Sequence, residues 1–351
     1  MTSKKFLMIT AVIALILSLG MSGVYAGDAA RIGTAAGTQL QVPVGARDIA
    51  MGGSDIAYTS GLSAMYWNPA GLAYMNSNAA GLFSTMQIFN DVDVNYLGVG
   101  FKLGKLGALG INLKSFSFGD IPVTTNADPD GLSGQTFSPT MLTLGVVFSK
   151  RLTDVISFGV TGKLVHESVP RAAANAFAFD AGIQYHNLGG INGLSFGLAV
   201  KNIGTNLTYS GSALLTNAPG VGQNVSGQFT SEFVNRPAAS DQLPANIELG
   251  VSYQRNINET NSFILSGNFD SQNFGQDIFK FGGEYVYNDL IALRGGYQFL
   301  NDTDSDDQLY DFTLGFGLHY AFGSTDLTFD YAFRNNEYFD GENMFSLAIG
   351  F

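Results

Sequence analysis

Residues 312–334 read F-T-L-G-F-G-L-H-Y-A-F-G-S-T-D-L-T-F-D-Y-A-F-R, and the period of this stretch decides the fold. Phe312, Leu314, Phe316, Leu318 and Tyr320 alternate with Thr313, Gly315, Gly317 and His319. After a short break at Ala321–Ser324, Leu327, Phe329, Tyr331 and Phe333 alternate with Thr328, Asp330, Ala332 and Arg334. Successive side chains of a strand point to opposite faces, so each set occupies one face. One face is large and apolar, the other small or polar. Strands of roughly ten residues with this dyad pattern are what a transmembrane β-barrel requires, lipid outside and lumen inside.

Working outward, the same period predicts strands over 79–89, 93–103, 106–118, 140–151, 156–166, 176–187, 194–203, 245–256, 261–270, 278–287, 291–300, 309–320, 325–334 and 343–351. That makes an all-β transmembrane antiparallel barrel of about 14 strands, an even number as single-chain bacterial barrels have. In residues 246–254, Ile247, Leu249, Val251 and Tyr253 share one face, against Asn246, Glu248, Ser252 and Gln254. The connections sort by length. Gly104-Lys105, Leu152–Val155, Leu188–Gly193, Ile257–Thr260, Asn288–Leu290 and Ala321–Ser324 are short and alternate with junctions that include the long Gly119–Pro139, Glu167–Asn175, Gly204–Pro244 and Asn301–Gln308. Short periplasmic turns and longer extracellular loops produce this asymmetry. The chain ends on alternating Phe345, Leu347, Ile349 and Phe351, a terminal strand similar to those that outer-membrane barrels present to their assembly machinery, with Phe351 as the signal.

Residues 44–75, V-G-A-R-D-I-A-M-G-G-S-D-I-A-Y-T-S-G-L-S-A-M-Y-W-N-P-A-G-L-A-Y-M, follow neither period. Gly52-Gly53 marks a tight backbone passage, and Asn68-Pro69 reads as a helix start, with Asn as cap and Pro in the first turn. The stretch holds the single tryptophan, Trp67. Gly45, Ala46, Arg47, Met51, Gly52 and Gly53, followed by Trp67, Asn68, Pro69, Ala70 and Gly71, resemble the N-terminal signature of the PorV/PorQ family of outer-membrane barrels, themselves similar to the long-chain fatty-acid transporter FadL. The resemblance implies that these residues form a hatch inside the barrel. It further implies either FadL-like passage of small hydrophobic molecules, with a lateral opening that no motif here locates, or a PorV-like role as an accessory subunit of the type IX secretion system.

The remaining sequence bounds these readings. Lys4-Lys5, the apolar run Phe6–Leu19 and Val24-Tyr25-Ala26 form a secretory signal over 1–26. A lead-in and hatch follow over 27–77, with Gly27–Pro43 read as an extended segment coming from the periplasm, and the barrel over 78–351. Loss of Lys4 and Lys5 takes the net charge from -12 to about -14, a poor balance for nucleic-acid binding, which relies on basic side chains. With 0 Cys, disulfide scaffolds and thiolate metal sites are excluded. Only 13% of residues are charged, beside 28 Phe and 44 Gly, which suits a lipid-facing barrel better than a soluble acidic domain.

Chemistry-bearing residues reduce to one set. Gly193-Leu194-Ser195-Phe196-Gly197 matches a nucleophile elbow, but alternation continues through Leu198 and Val200, so Gly193, Ser195 and Gly197 read as small lumen residues. His166, His186 and His319 sit near strand ends without a clear acid partner. Asp302, Asp304, Asp306 and Asp307 lack the spacing of a calcium loop and read as a solvated acidic loop. Lys114, Lys163, Glu248, Glu284, Arg294 and Asp330 face the lumen, where unpaired charge is costly. They are expected to pair with each other, with water, or with Arg47 and Asp48 of the hatch, either holding the plug or gating it. The inward residues are mostly small and polar, which counts against a large apolar ligand. No enzyme, cofactor or metal is implied. The partners are outer-membrane lipid, the assembly machinery, and either a small hydrophobic ligand or a secretion-system protein.

Overall fold

The computed structural model describes residues 31–89, 91–223, 229–300 and 308–351. Fourteen antiparallel strands close into a barrel: β1 Ala79–Ile88, β2 Val92–Lys102, β3 Ala108–Ser117, β4 Thr140–Arg151, β5 Ile156–Val169, β6 Ala172–Tyr185, β7 Leu194–Gly204, β8 Asn246–Asn256, β9 Asn261–Gln272, β10 Ile278–Tyr287, β11 Ile291–Leu300, β12 Phe312–Phe322, β13 Thr325–Arg334 and β14 Glu342–Gly350. Each strand pairs with its neighbours in sequence, and β14 returns to β1 from Ala80↔Gly350 to Met86↔Met344. The Phe351 N–H donates to the Ala79 carbonyl at 2.8 Å, and the Phe351 carbonyl accepts from Asn78 N–H at 2.8 Å. The last residue thereby closes the seam. Closure leaves no unpaired edge, the condition for a sheet to stand in lipid.

Alternation sorts as the period requires. Leu314 and Leu318 are exposed on the outer wall, while their neighbour Thr313 is buried inside. Aromatic rings stack across strands on the outer wall of β10–β14, as in Phe279–Phe299 with centroids 5.2 Å apart and Tyr331–Phe345 at 5.3 Å.

Two expectations need correction. Glu167–Asn175 is not a long loop. β5 and β6 run through it, pairing Val169 with Ala172 and leaving only a Pro170-Arg171 turn, with Arg171 at φ 64°. Alanine is a weak strand former, so A-A-A-N reads locally as a break; the register imposed by β5 overrides that preference. The second correction concerns the lead-in, whose described part lies at the opposite end from the periplasm. Arg31 Nη1 donates to Asn273 Oδ1 at 2.6 Å and Nη2 to Gln242 Oε1 at 2.8 Å, both at the end that carries the long connections. Leu40 is buried there with Val165, Ala174, Ala176, Leu207 and Leu243, and that apolar contact is what holds the segment in the mouth. The 205–245 connection is itself folded, pairing Leu207–Thr208 with Ser240–Asp241 and Leu215–Gln223 with Phe229–Asn235.

From the outer mouth the chain enters the lumen at Val44, folds back through residues 45–75, and leaves at the short-turn end to begin β1. The apolar centre therefore sits inside the barrel, formed by Val44, Ile49, Met65, Trp67 and Leu72 against Met86, Val94 and Met344 of the wall.

Candidate functional site

The hatch is built from short turns. Helix α1 spans Ala46–Ala50 and α2 Ala64–Trp67, and Pro69–Tyr74 forms a 3-10 segment. Gly52 and Gly53 follow α1 at φ 66° and 68°, a left-handed passage that favours glycine. Asn68 caps the 3-10 segment, its side-chain oxygen accepting the Ala70 N–H at 3.2 Å. Its amide also donates to the Ile56 carbonyl at 2.9 Å and to Ile183 of the wall at 3.2 Å. The Trp67 indole N–H donates to the Val44 carbonyl at 2.9 Å, tying the end of α2 to the point where the chain enters.

The wall that receives the hatch is made of glycines placed opposite one another on adjacent strands. Gly100 faces Gly110, Gly159 faces Gly182, Gly197 faces Gly250, and Gly282 faces Gly296. A β-carbon on Gly159 would stand 2.3 Å from the Pro69 carbonyl carbon, and one on Gly182 2.0 Å from Asn68 Oδ1. One on Gly197 would stand 2.6 Å from Ala57 Cα, one on Gly282 2.3 Å from the Met51 oxygen, and one on Gly296 2.2 Å from Gly52 N. Hatch backbone thus lies directly on wall backbone around the lumen. The sequence shows that the inward residues are small but does not show these seats. Glycines at inward positions were the visible signal, but their pairing across strands depends on register.

Charges occupy the rest of the lumen in two groups. In the first, Arg47 Nη1 lies 2.8 Å from Asp55 Oδ2 and 3.4 Å from Asp48 Oδ1, and Nη2 lies 3.3 Å from Glu284 Oε1. Arg294 joins this group, contacting Glu284 at 2.5 Å and Asp330 at 2.6 Å. Among the described residues Asp48 pairs only within the hatch, with Arg47 and the Thr59 hydroxyl at 2.7 Å, and not with a wall charge as expected. Burial lowers the Arg47 pKa, but Glu284, Asp55 and Asp48 more than offset it and hold the guanidinium charged. In the second group Lys201 and Lys280 bracket Glu248 at 2.6 and 3.7 Å, Lys280 also meets Asp270 at 2.8 Å, and Lys163 meets Asp180 at 2.5 Å. Lys114 is buried, and among the described residues it has no carboxylate partner. Its ammonium donates to the Val42 carbonyl at 2.9 Å and lies 4.8 Å from the Tyr66 ring centroid.

The hatch separates two sets of cavities. On the outer side a space of about 210 Å³ is lined by Leu40, Ile49, Tyr66, Trp67, Ile278 and Tyr310, with the second charge group along its wall. On the short-turn side, spaces of about 290 and 470 Å³ both reach Arg47 and Asp330. Glu248, Glu284 and Arg294 are thus committed to ion pairs, whereas hatch aromatics and Leu40 supply the apolar lining that the inward strand residues lack.

The other motifs fall elsewhere. Gly193 lies in the turn before β7 rather than on the lumen face, and Ser195 lies within the strand, buried beside His186 Nδ1 at 3.0 Å. Tyr74 of the hatch packs edge-on against His186, centroids 4.6 Å apart. His319 does have an acid neighbour, Asp326 at 3.7 Å, on the exposed rim. His166 contacts Asn175 at 2.8 Å. Asp302, Asp304, Asp306 and Asp307 lie outside the described residues, as does the 1–26 signal.

Comparison with solved structures places the fold. The Ralstonia pickettii toluene transporter TbuX aligns over 88% of this chain and 97% of its own, at 15% identity and TM-score 0.53. The monoaromatic hydrocarbon channel CymD aligns over 88% and 97%, at 14% identity and TM-score 0.51. A deletion mutant of the TodX monoaromatic hydrocarbon channel aligns over 87% and 97%, at 16% identity and TM-score 0.52. No curated protein sequence matches the chain. The family model for the type IX secretion system protein PorV matches residues 26–271. That match spans the lead-in, the whole hatch and the wall as far as β9, well over half of the sequence. The chain is an outer-membrane barrel and belongs to the PorV family.

Proposed function

We propose that the protein passively admits small hydrophobic molecules across the outer membrane, with residues 44–75 as its plug. The observation that carries this reading is the outer cavity, where Leu40, Ile49, Tyr66 and Trp67 form an apolar part of the lining beside the charged Lys201, Glu248, Asp270, Lys280 and Arg334. By size alone, a cavity of about 150 Å³ accepts benzene, so a space of about 210 Å³ has room for one small ring or a short chain but not for a long acyl chain. The solved barrels of the same fold are described as toluene and monoaromatic hydrocarbon channels, which agrees with that size. The chain is exported by its N-terminal signal, assembled through the strand ending at Phe351, and works in lipid without chemistry of its own.

The family match supports a second reading, an accessory subunit of type IX secretion that engages a large partner. One preparation separates the two. Trp67 is the only tryptophan and lines the cavity, so its emission reports occupancy. Titration with a single-ring aromatic hydrocarbon should give a saturable change that Ile49→Phe abolishes by filling the space. No response, together with a stable complex with a much larger protein in native mass spectrometry, would replace transport with the secretion role.

A further inference from the structure

Arg47 and Arg294 face four carboxyls, Asp48, Asp55, Glu284 and Asp330, in one connected group. Fully ionised, the group holds two more negative than positive charges in a water-poor lumen, which is costly. Two of its oxygens, Asp48 Oδ2 and Asp55 Oδ1, are buried and accept no hydrogen bond among the described residues. Both side chains are 0% exposed. The two carboxyls converge on one guanidinium nitrogen, Arg47 Nη1, at 3.4 and 2.8 Å. Two carboxylates in contact repel, whereas a carboxyl and a carboxylate make a short, strong hydrogen bond.

We propose that Asp48 and Asp55 share a single proton in the closed hatch, making the plug one that acid tightens and alkali loosens. The inference rests on residues 44–75 acting as the closure. The proton removes one unit of excess charge and supplies the donor that both orphan oxygens lack. Every neighbouring element agrees. Within the hatch, Arg47, Tyr58 and Thr59 face the pair; from the wall, Tyr96 of β2, Glu284 of β10, Arg294 of β11 and Asp330 of β13 surround it. The other titratable groups on the same cavities are Tyr74 of the hatch and, at the short-turn rim, Asp289, His319 and Asp326. Arg47 is 20% exposed toward those cavities, so the periplasm is the side from which the proton exchanges.

Burial first, and the Asp48 carboxylate second, raise the Asp55 pKa to about 8 against the pull of Arg47. In the released hatch Asp55 returns to an ordinary carboxyl value of about 4. The closed state therefore binds the extra proton between these limits. Its stability is full below pH ~4 and is lost as pH rises through about 8. The ratio of released to closed hatch rises by at most about tenfold per pH unit over that window and levels off above it.

Infrared spectroscopy of the full chain in bilayers tests this directly. The expected result is a protonated-carboxyl stretch at neutral pH that titrates away near pH 8 and is missing in Asp55→Asn. In that variant an amide N–H takes the place of the shared proton, and the pair itself no longer changes charge over this pH window. Efflux of a small polar solute from proteoliposomes should rise with pH for the unaltered protein and stay flat for Asp55→Asn. Absence of the stretch at neutral pH, or an identical pH profile for both proteins, overturns the proposal. If the stretch is present but removing residues 44–75 leaves efflux unchanged, the shared proton stands and the plug reading fails.

Discussion

Gly159→Ala is the sharpest test of how the hatch is seated. The added β-carbon would lie 2.3 Å from the Pro69 carbonyl carbon, 2.4 Å from its oxygen and 2.5 Å from Ala70 N. All three are backbone atoms, so no side-chain rotation relieves the clash. Ordinary contact begins near 3.4 Å, so the Asn68-Pro69-Ala70 corner must lift by about 1 Å. That displacement breaks the Ser149 Oγ bond to the Ala70 carbonyl at 2.9 Å, together with the Ala73 N–H bond to the same hydroxyl at 3.2 Å. Overpacking costs about 1–3 kcal/mol, and the two broken hydrogen bonds add about 1 kcal/mol each. At 1.4 kcal/mol per tenfold change, the unseated hatch should rise roughly a hundredfold or more. The assay is efflux of a small polar solute from proteoliposomes, with barrel folding checked by its heat-dependent gel shift. Gly81→Ala is the control, because a β-carbon there meets nothing within 4 Å. A correctly folded Gly159→Ala barrel that leaks no faster than Gly81→Ala would refute the claim that these glycines seat the plug.

Three further outcomes follow from the same geometry. Arg47→Ala leaves Asp55 and Glu284 without a shared cation, and removing one partner of a buried pair costs about 3–5 kcal/mol; hydrogen exchange of residues 45–59 should accelerate while that of β1–β14 does not. Asn68→Asp sets an acceptor against the Ile56 and Ile183 carbonyls, replacing two donated bonds with repulsion, and should raise efflux at least as much as Gly159→Ala. Lys114→Met removes a buried ammonium that has one carbonyl acceptor and no counter-ion, so thermal unfolding should stay level or rise. A fall of several degrees would mean that the charge stabilises the lumen.

The strands and their faces were legible because alternation is a local property, carried by the covalent chain wherever one wall meets lipid. Phe312–Phe322 and Thr325–Arg334 display it without reference to any neighbour. The hatch was legible as a foreign stretch for the complementary reason: residues buried on all sides by a closed wall have no face to alternate. The extension of β5 and β6 through residues 167–175 was not legible, since alanines carry little strand preference and pair there only because Val169 meets Ala172. Register across strands also decided which glycines face each other, and with that where Pro69, Ala57 and Met51 rest. The charges divide likewise. The sequence alone determined that Glu284, Arg294 and Asp330 point inward, because inward is a matter of parity. Only the tertiary structure decided that Arg47 reaches Glu284 while Asp48 turns to Thr59, because partners remote in sequence are chosen by three-dimensional distance.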